Sequence, residues 1–528
     1  MSRSPWAPLG PRSTVARSGS RALPRSAARS ASVLAVLALA ASATTACSPG
    51  GGGTEATDGA GCEQLEAYGT VAQGQTVTVG TVFSGNEAAR FEASLARFEE
   101  CTGIDVVHSG SDQLESVLRD AAASGSPSAD PSLPDLAVVP QSGLVTELID
   151  AGAVSALPDT VGANIELGWD RAWSDVGAVD GTLYAAPLMA SVKSFVWYSP
   201  AAFEASGYQV PRTWEELVEL TDQVVADHPD GAVTPWCMGV ADGEATGWPA
   251  TDWLEDALLA TQGTGAFDSW ADHEAPLDSD SAVEALDAVG DLVLADGHVP
   301  GGRAAAATTT VEEAGQQLVS GTCLMLHASS SYETVLPTGT LVTDANGEHG
   351  VKVSPTTTAS AAPTTGQGGP AAEQGSPAAT GTASAQASPT VAVPGAVSAF
   401  LLPSRGDDDG GTPVLVGGDY LVALRTSEAA VAVMGYLTSA EWAQERVELG
   451  GMASANRGVD ASDIESDVAR RATELLQSRQ TVIRLDGSDT MPSAVGTDAL
   501  WTALTQWTAG ELSSEEALAQ AEEAWPSD

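Results

Sequence analysis

The chain has 528 residues, with 22 basic and 70 acidic side chains and a formal net charge of −48. So acidic a polypeptide repels nucleic acid and anionic lipid headgroups, which argues against both as direct partners. The length exceeds one ordinary domain and predicts two lobes, each with its own core.

Six arginines and no acidic residue precede Ala31, and an apolar stretch from Leu34 leads through Thr44-Thr45-Ala46 to Cys47. A basic segment, a short apolar segment and small residues in that order form a secretory signal, and the apolar run is too short to span a bilayer. Residues 1–46 are thus expected to be removed. A cysteine at that point resembles a bacterial lipobox, with Thr44 where leucine is usual, and makes Cys47 the expected lipidation site. Two acyl chains, at about 0.8 kcal/mol per buried CH₂, anchor a soluble domain stably. The expected location is extracytoplasmic, on the outer face of the cytoplasmic membrane; an ordinary signal with a chance cysteine is the competing reading. The remaining chain holds 16 basic and 70 acidic residues, a formal charge of −54. Residues 47–69, rich in glycine, read as a lipid-anchored flexible tether. Four further cysteines, Cys62, Cys101, Cys237 and Cys323, are expected to form two disulfides in an oxidising compartment. Three pairings are open, of which Cys62–Cys101 with Cys237–Cys323 is the most local. No Cys-x₂-Cys spacing supports a metal site, and no cofactor is expected.

Alternating β-branched residues predict a strand at Thr76–Phe83. A helix with Phe91, Leu95 and Phe98 on one face follows, then a strand at Ile104–Val107, a helix at Leu114–Ala122, a buried strand at Leu136–Val139 and a helix starting at Leu144. This β-α-β-α-β order predicts a parallel sheet with helical crossovers, whose ligands bind beyond the strands' carboxyl ends. Asp180-Gly181 reads as a tight turn, Lys193–Tyr198 as a strand, and Trp214–Asp227 as a helix opened by a Thr213/Glu216 capping box. Helices are expected near 251–261, 282–295 and 312–320. Residues 354–392 are almost wholly Ser, Thr, Ala, Pro and Gly, a composition that cannot bury a core and predicts a disordered insert. Strands at Val397–Leu402 and Val414–Tyr420 follow, then helices near 427–449, 464–478 and 496–524.

Several phrases are shared with a known family: Ser84-Gly-Asn-Glu87; Tyr184-Ala-Ala-Pro187 with Lys193-Ser-Phe-Val-Trp-Tyr198; Gly207 to Trp214; Pro235-Trp-Cys-Met-Gly239; and Ala245-Thr-Gly-Trp-Pro-Ala-Thr-Asp-Trp253. Gly321-Thr-Cys323, Gly417-Gly-Asp-Tyr420, Gly450–Asn456 and Arg484–Pro492 add to them, with Leu485 replacing the usual phenylalanine. On these residues the chain resembles the extracellular solute-binding proteins, family 1, of bacterial ABC transporters, in particular their α-glucoside-binding branch. The resemblance implies an α/β, two-lobed periplasmic-binding-protein (type II) fold with a hinge and discontinuous lobes. Residues 70–190 with 417–465 would form the first lobe, and 191–416 with 466–528 the second. It places the interlobe crossings near 187–193, 414–420 and 459–468, and it places Cys237 beside Cys323. It implies a monomer that captures an α-glucoside and delivers it to ABC permease subunits, without being an enzyme.

Thirteen tryptophans make up nearly half of the aromatic residues. An indole face suits the apolar face of a pyranose, and polar side chains suit its hydroxyl edge. Trp197, Trp248 and Trp253 are the candidate stacking residues, with core packing as the alternative. Asn86, Glu87, Gln141, Asp252, Asp419, Asn456 and Asp489 are the candidate polar contacts. Helix capping competes for Asp252. Asp407-Asp-Asp409 reads as a solvated loop and His327 as a structural histidine. Two carboxylates flanking a sugar would also describe a glycoside-acting enzyme, and a sugar sensor without transport is a third reading. No nucleophile elbow, zinc-protease motif or phosphate loop occurs.

Overall fold

The computed structural model describes residues 74–124, 131–344, 350–352, 395–405 and 413–526, with Cys62, Glu63, Leu65 and Tyr68 ahead of them. The expected signal peptide, Cys47, most of the tether, the insert 354–392 and Asp407-Asp-Asp409 lie outside the described residues.

Two six-stranded sheets form the frame. In the first, Thr76–Thr81 runs parallel to both Asp105–Gly110 and Leu136–Val139. Leu136–Val139 pairs antiparallel with the long strand Pro413–Ala423, which also pairs antiparallel with Ala185–Val192 and parallel with Val482–Leu485. The second sheet has the order Gly350–Lys352, Leu341–Thr343, Ala396–Leu401, Phe195–Tyr198, Cys323–His327, Thr234–Trp236. The expected strand from Lys193 to Tyr198 is thus interrupted. Lys193 and Ser194 link the sheets, because Lys193 N–H bonds to the Leu415 carbonyl while Phe195 begins the second ladder.

Both faces of Leu136–Val139, Ala185–Val192, Phe195–Tyr198 and Cys323–His327 are buried, which fits their largely apolar runs. Leu136 and Val138 face one core, while Ala137 and Val139 face another. Phe195 and Trp197 likewise part from Val196 and Tyr198. One apolar cluster contains Val77, Val79 and Val416 of the first sheet together with Trp197, Cys323 and Val397 of the second, and two further clusters flank the sheets. Helix Asp467–Gln477 joins the first of these clusters through Val468, Ala472 and Leu476.

The helix bearing Phe91, Leu95 and Phe98 is broken at Ser94-Leu95 into Gly85–Ala93 and Ala96–Thr102, although all three side chains are buried. Trp214–Asp227 forms as expected, but Glu216 reaches back to the Arg212 N–H rather than to Thr213. Full capping boxes occur at Thr310/Glu313 and Ser513/Glu516. Asp180 and Gly181 have φ of 51° and 79°, the left-handed pair that a two-residue hairpin turn needs, between Ala178–Val179 and Thr182–Leu183. Disulfides join Cys62 to Cys101 and Cys237 to Cys323.

Candidate functional site

Leu136–Val139 approaches the middle of Pro413–Ala423 from one direction and Val482–Leu485 from the other. Their carboxyl ends therefore converge on Gly417-Gly418-Asp419, the place where α/β sheets present ligand sites. Gly417 and Gly418 permit close approach. An ideal Cβ on Gly417 would lie 2.6 Å from Lys193 Cε, and one on Gly418 would lie 2.5 Å from the Trp173 ring. The register shifts between Asp419 and Tyr420, a bulge that re-aims the Asp419 side chain.

Asp419 is half-buried, and burial with the nearby Glu87 charge pushes its carboxyl up to about 7. Glu87 stands in the first turn of Gly85–Ala93; burial raises it, while Arg446 and Arg90 pull it back. Arg446 is fully buried; desolvation lowers its guanidinium to about 10, and one nitrogen donates to the Gly450 carbonyl. Burial also pushes Glu115 up to about 7, against Arg119. The Gln141 amide, turned with its nitrogen toward that carboxyl, donates to Glu115. Asn86 donates to the Thr334 carbonyl at 3.5 Å.

Lys193 organises the other side. Its ammonium meets Asp252 Oδ1 at 3.0 Å, Asp486 Oδ2 at 2.5 Å and Asp489 Oδ2 at 3.4 Å. Desolvation opposes its charge, but these carboxylates raise its pKa well above the ordinary lysine value. Asp486, also desolvated, is held below the ordinary range by Lys193, Ser488 and the Asp489 N–H. Burial and the Asp486 charge raise Asp489. Trp248 opens helix Trp248–Gln262 one turn before Asp252; its ring is half-buried and its indole N–H donates to Asp242 Oδ2 at 2.7 Å. Asp242 faces Asp112 from the loop after Asp105–Gly110.

The expected residues therefore divide. Glu87, Gln141, Asp419 and Asp489 gather around the converging strand ends, Trp248 lies one turn before Asp252 on the helix that Lys193 ties to Asp489, and Asn86 precedes Glu87 on the same helix. Four placements differ from expectation. Trp197 is fully buried beside Tyr332, its indole donating to the Ala328 and Ser329 carbonyls, so neither ring face is free. Trp253 is buried between Trp236 and His327. Asn456 is buried, its side-chain oxygen accepting from the Gly458 N–H. Asp252, 1% exposed, is neither a cap nor an open contact, because Lys193 holds it inside.

Sequence reasoning missed Lys193, Asp486, Glu115 and Arg446. Lys193 had a signal: a cation inside an apolar run must be paired when buried. So did Arg446, which lies four residues after the buried Trp442 and therefore shares its helix face.

No group of three or more His, Cys, Asp or Glu side chains is arranged to hold a metal ion among the described residues. Nor is any described helix long and apolar enough to cross a membrane. The site offers carboxylates and indole, groups that suit hydroxyls better than phosphates.

The chain is 29% identical over 453 residues to the osmoprotective compounds-binding protein GgtB of Synechocystis, covering 85% of this chain and 92% of that one. It is also 29% identical to the alpha-glucosides-binding periplasmic protein AglE of Rhizobium meliloti, over 86% of this chain and 88% of that one. The maltose-bound MalE3 of T. maritima superposes with a TM-score of 0.58 at 16% identity, over 85% of this chain and 98% of that one. That likeness carries the type II solute-binding fold. Residues 84–444 match the model of the bacterial extracellular solute-binding proteins. This chain belongs to that family.

Proposed function

We propose that this solute-binding component of an ABC sugar importer captures an α-glucoside or a related polyhydroxylated solute and hands it, unaltered, to a permease. The observation that carries the reading is the gathering of half-buried Glu87, Glu115, Asp419 and Asp489 around the converging strand ends. Carboxylates accept strong hydrogen bonds from hydroxyls, and Trp248 supplies an apolar face. The names of the two relatives support the ligand class. In this reading 70–190 with 417–465 closes against 191–416 with 466–528, hinging through the crossings near 187–193, 414–420 and 459–468. Cys47 carries the lipid anchor, and the protein acts as a monomer.

Calorimetry with maltose, trehalose and sucrose tests this. Micromolar binding of one of them, about −8 kcal/mol, is expected, with the sugar recovered intact. Absence of binding to all three would remove the α-glucoside assignment, and cleavage of the bound sugar would replace it with a glycoside-acting enzyme.

A further inference from the structure

Lys193 lies in the two-residue link between the sheets, with its stem against Gly417 of the long strand of the first sheet. Each of its three N–H groups has a different carboxylate: Asp252 on helix Trp248–Gln262, and Asp486 and Asp489 beyond Val482–Leu485. Two of these acceptors are 1% exposed, whereas the Asp489 carboxylate is 15% exposed. Asp489 is thus the member that solvent reaches. The other groups facing this cluster are Glu255, which accepts from the Gly487 and Ser488 N–H groups, Asp419 on the long strand, and His327, which pairs with Asp256. One ammonium stands against many carboxylates in a desolvated place. The charge on Asp489 therefore depends on Lys193.

We propose that Lys193 is a positioning residue of the solute site, holding the Asp489 carboxylate as a hydrogen-bond acceptor toward the cleft and tying it to the link between the sheets. It touches Asp489 rather than the solute. This rests on the sugar-binding reading, because it assigns Asp489 to the hydroxyl edge of the ligand. An ionised acceptor binds a hydroxyl more tightly than a protonated one, so wild-type affinity rises with pH as Asp489 loses its proton. Without the ammonium, Asp489 keeps its proton to higher pH.

Calorimetry of wild type, Lys193→Met and Lys193→Arg with maltose, trehalose and sucrose, from pH 5.5 to 9, tests the proposal. Lys193→Met is expected to bind about 10- to 100-fold more weakly at pH 7, the scale of a charge-assisted hydrogen bond, and its affinity should rise at higher pH than in wild type. Lys193→Arg, which keeps the charge, should weaken binding but leave the midpoint in place. If Lys193→Met does not fold, Lys193→Met with Asp252→Asn removes charge on both sides and should show an upward shift that is smaller, because the Asp252 charge, which also raises Asp489, is gone. Wild type that binds none of the sugars overturns the sugar reading and this proposal with it. Wild type that binds, with a midpoint that none of the variants moves, overturns this proposal alone.

Discussion

The Ser142 hydroxyl donates to the backbone carbonyl of Asp489, 347 residues further along the chain, at 3.1 Å. The contact joins the helix that follows Leu136–Val139 to the turn that follows Val482–Leu485, so the two strand ends that frame the site are held against each other. Beside it, a Cβ built on Gly143 would collide with the Met491 carbonyl oxygen.

Gly143→Ala should therefore push these elements apart without harming either sheet. Solute affinity is expected to fall about tenfold or more, with far-UV circular dichroism unchanged, and small-angle scattering should report a larger radius of gyration. Wild-type affinity in this variant would refute the close contact.

Acidity should govern stability through Asp419. Its carboxyl titrates near 7 in the folded protein, against an ordinary value of 3.8. Between those values the folded chain binds more protons than the unfolded one, so stability is full below the lower value and declines as pH rises to about 7. Asp419→Asn has no such proton to lose. The melting temperature of wild type should fall between pH 5 and pH 8, and that of the variant should fall less. Glu115 and Asp252, also raised to about 7, leave the variant a residual slope. Identical slopes would contradict the assignment.

Trp248→Ala should abolish any change in tryptophan fluorescence on solute addition and weaken binding. Trp197→Phe should leave the fluorescence change in place, because its indole is sealed between Tyr332 and two carbonyls. The reverse result would exchange the roles of the two tryptophans.

Each disulfide should contribute about 2–4 kcal/mol. The Cys237–Cys323 bridge spans 86 residues and closes the edge of the second sheet next to Thr234–Trp236. Cys237→Ser with Cys323→Ser should lower the melting temperature while keeping solute affinity. Thiol titration of the denatured, unreduced protein should find neither pair free.

The sequence was most legible where one physical rule acted alone. Alternation set out Thr76–Thr81, helical period with a Thr213 cap set out Trp214–Asp227, and Asp180-Gly181 announced its turn. It was least legible where tertiary partners decided. Trp197 and Trp248 are chemically identical, and only the strand pairing and the turn around Tyr332 bury one and leave the other half open. Asp252 and Asp489 read alike as candidate polar contacts. Their difference comes from Lys193, a residue 59 positions from the first and 296 from the second. Burial of a charge is a property of the assembled neighbourhood, and no local pattern around either aspartate records it.

The long strand Pro413–Ala423 has a further consequence for how the chain is made. It pairs with Leu136–Val139 and Ala185–Val192 from the first half of the chain and with Val482–Leu485 near its end, so the first sheet is incomplete until more than 90% of the chain has been synthesised. Pairings so distant in sequence form slowly. Thr76–Thr81, Asp105–Gly110 and Leu136–Val139 must wait, with one edge open, for a strand more than 270 residues away. Until then their unpaired backbone groups are open to wrong pairing with other strands, so late completion of the sheet is a folding hazard built into the chain order.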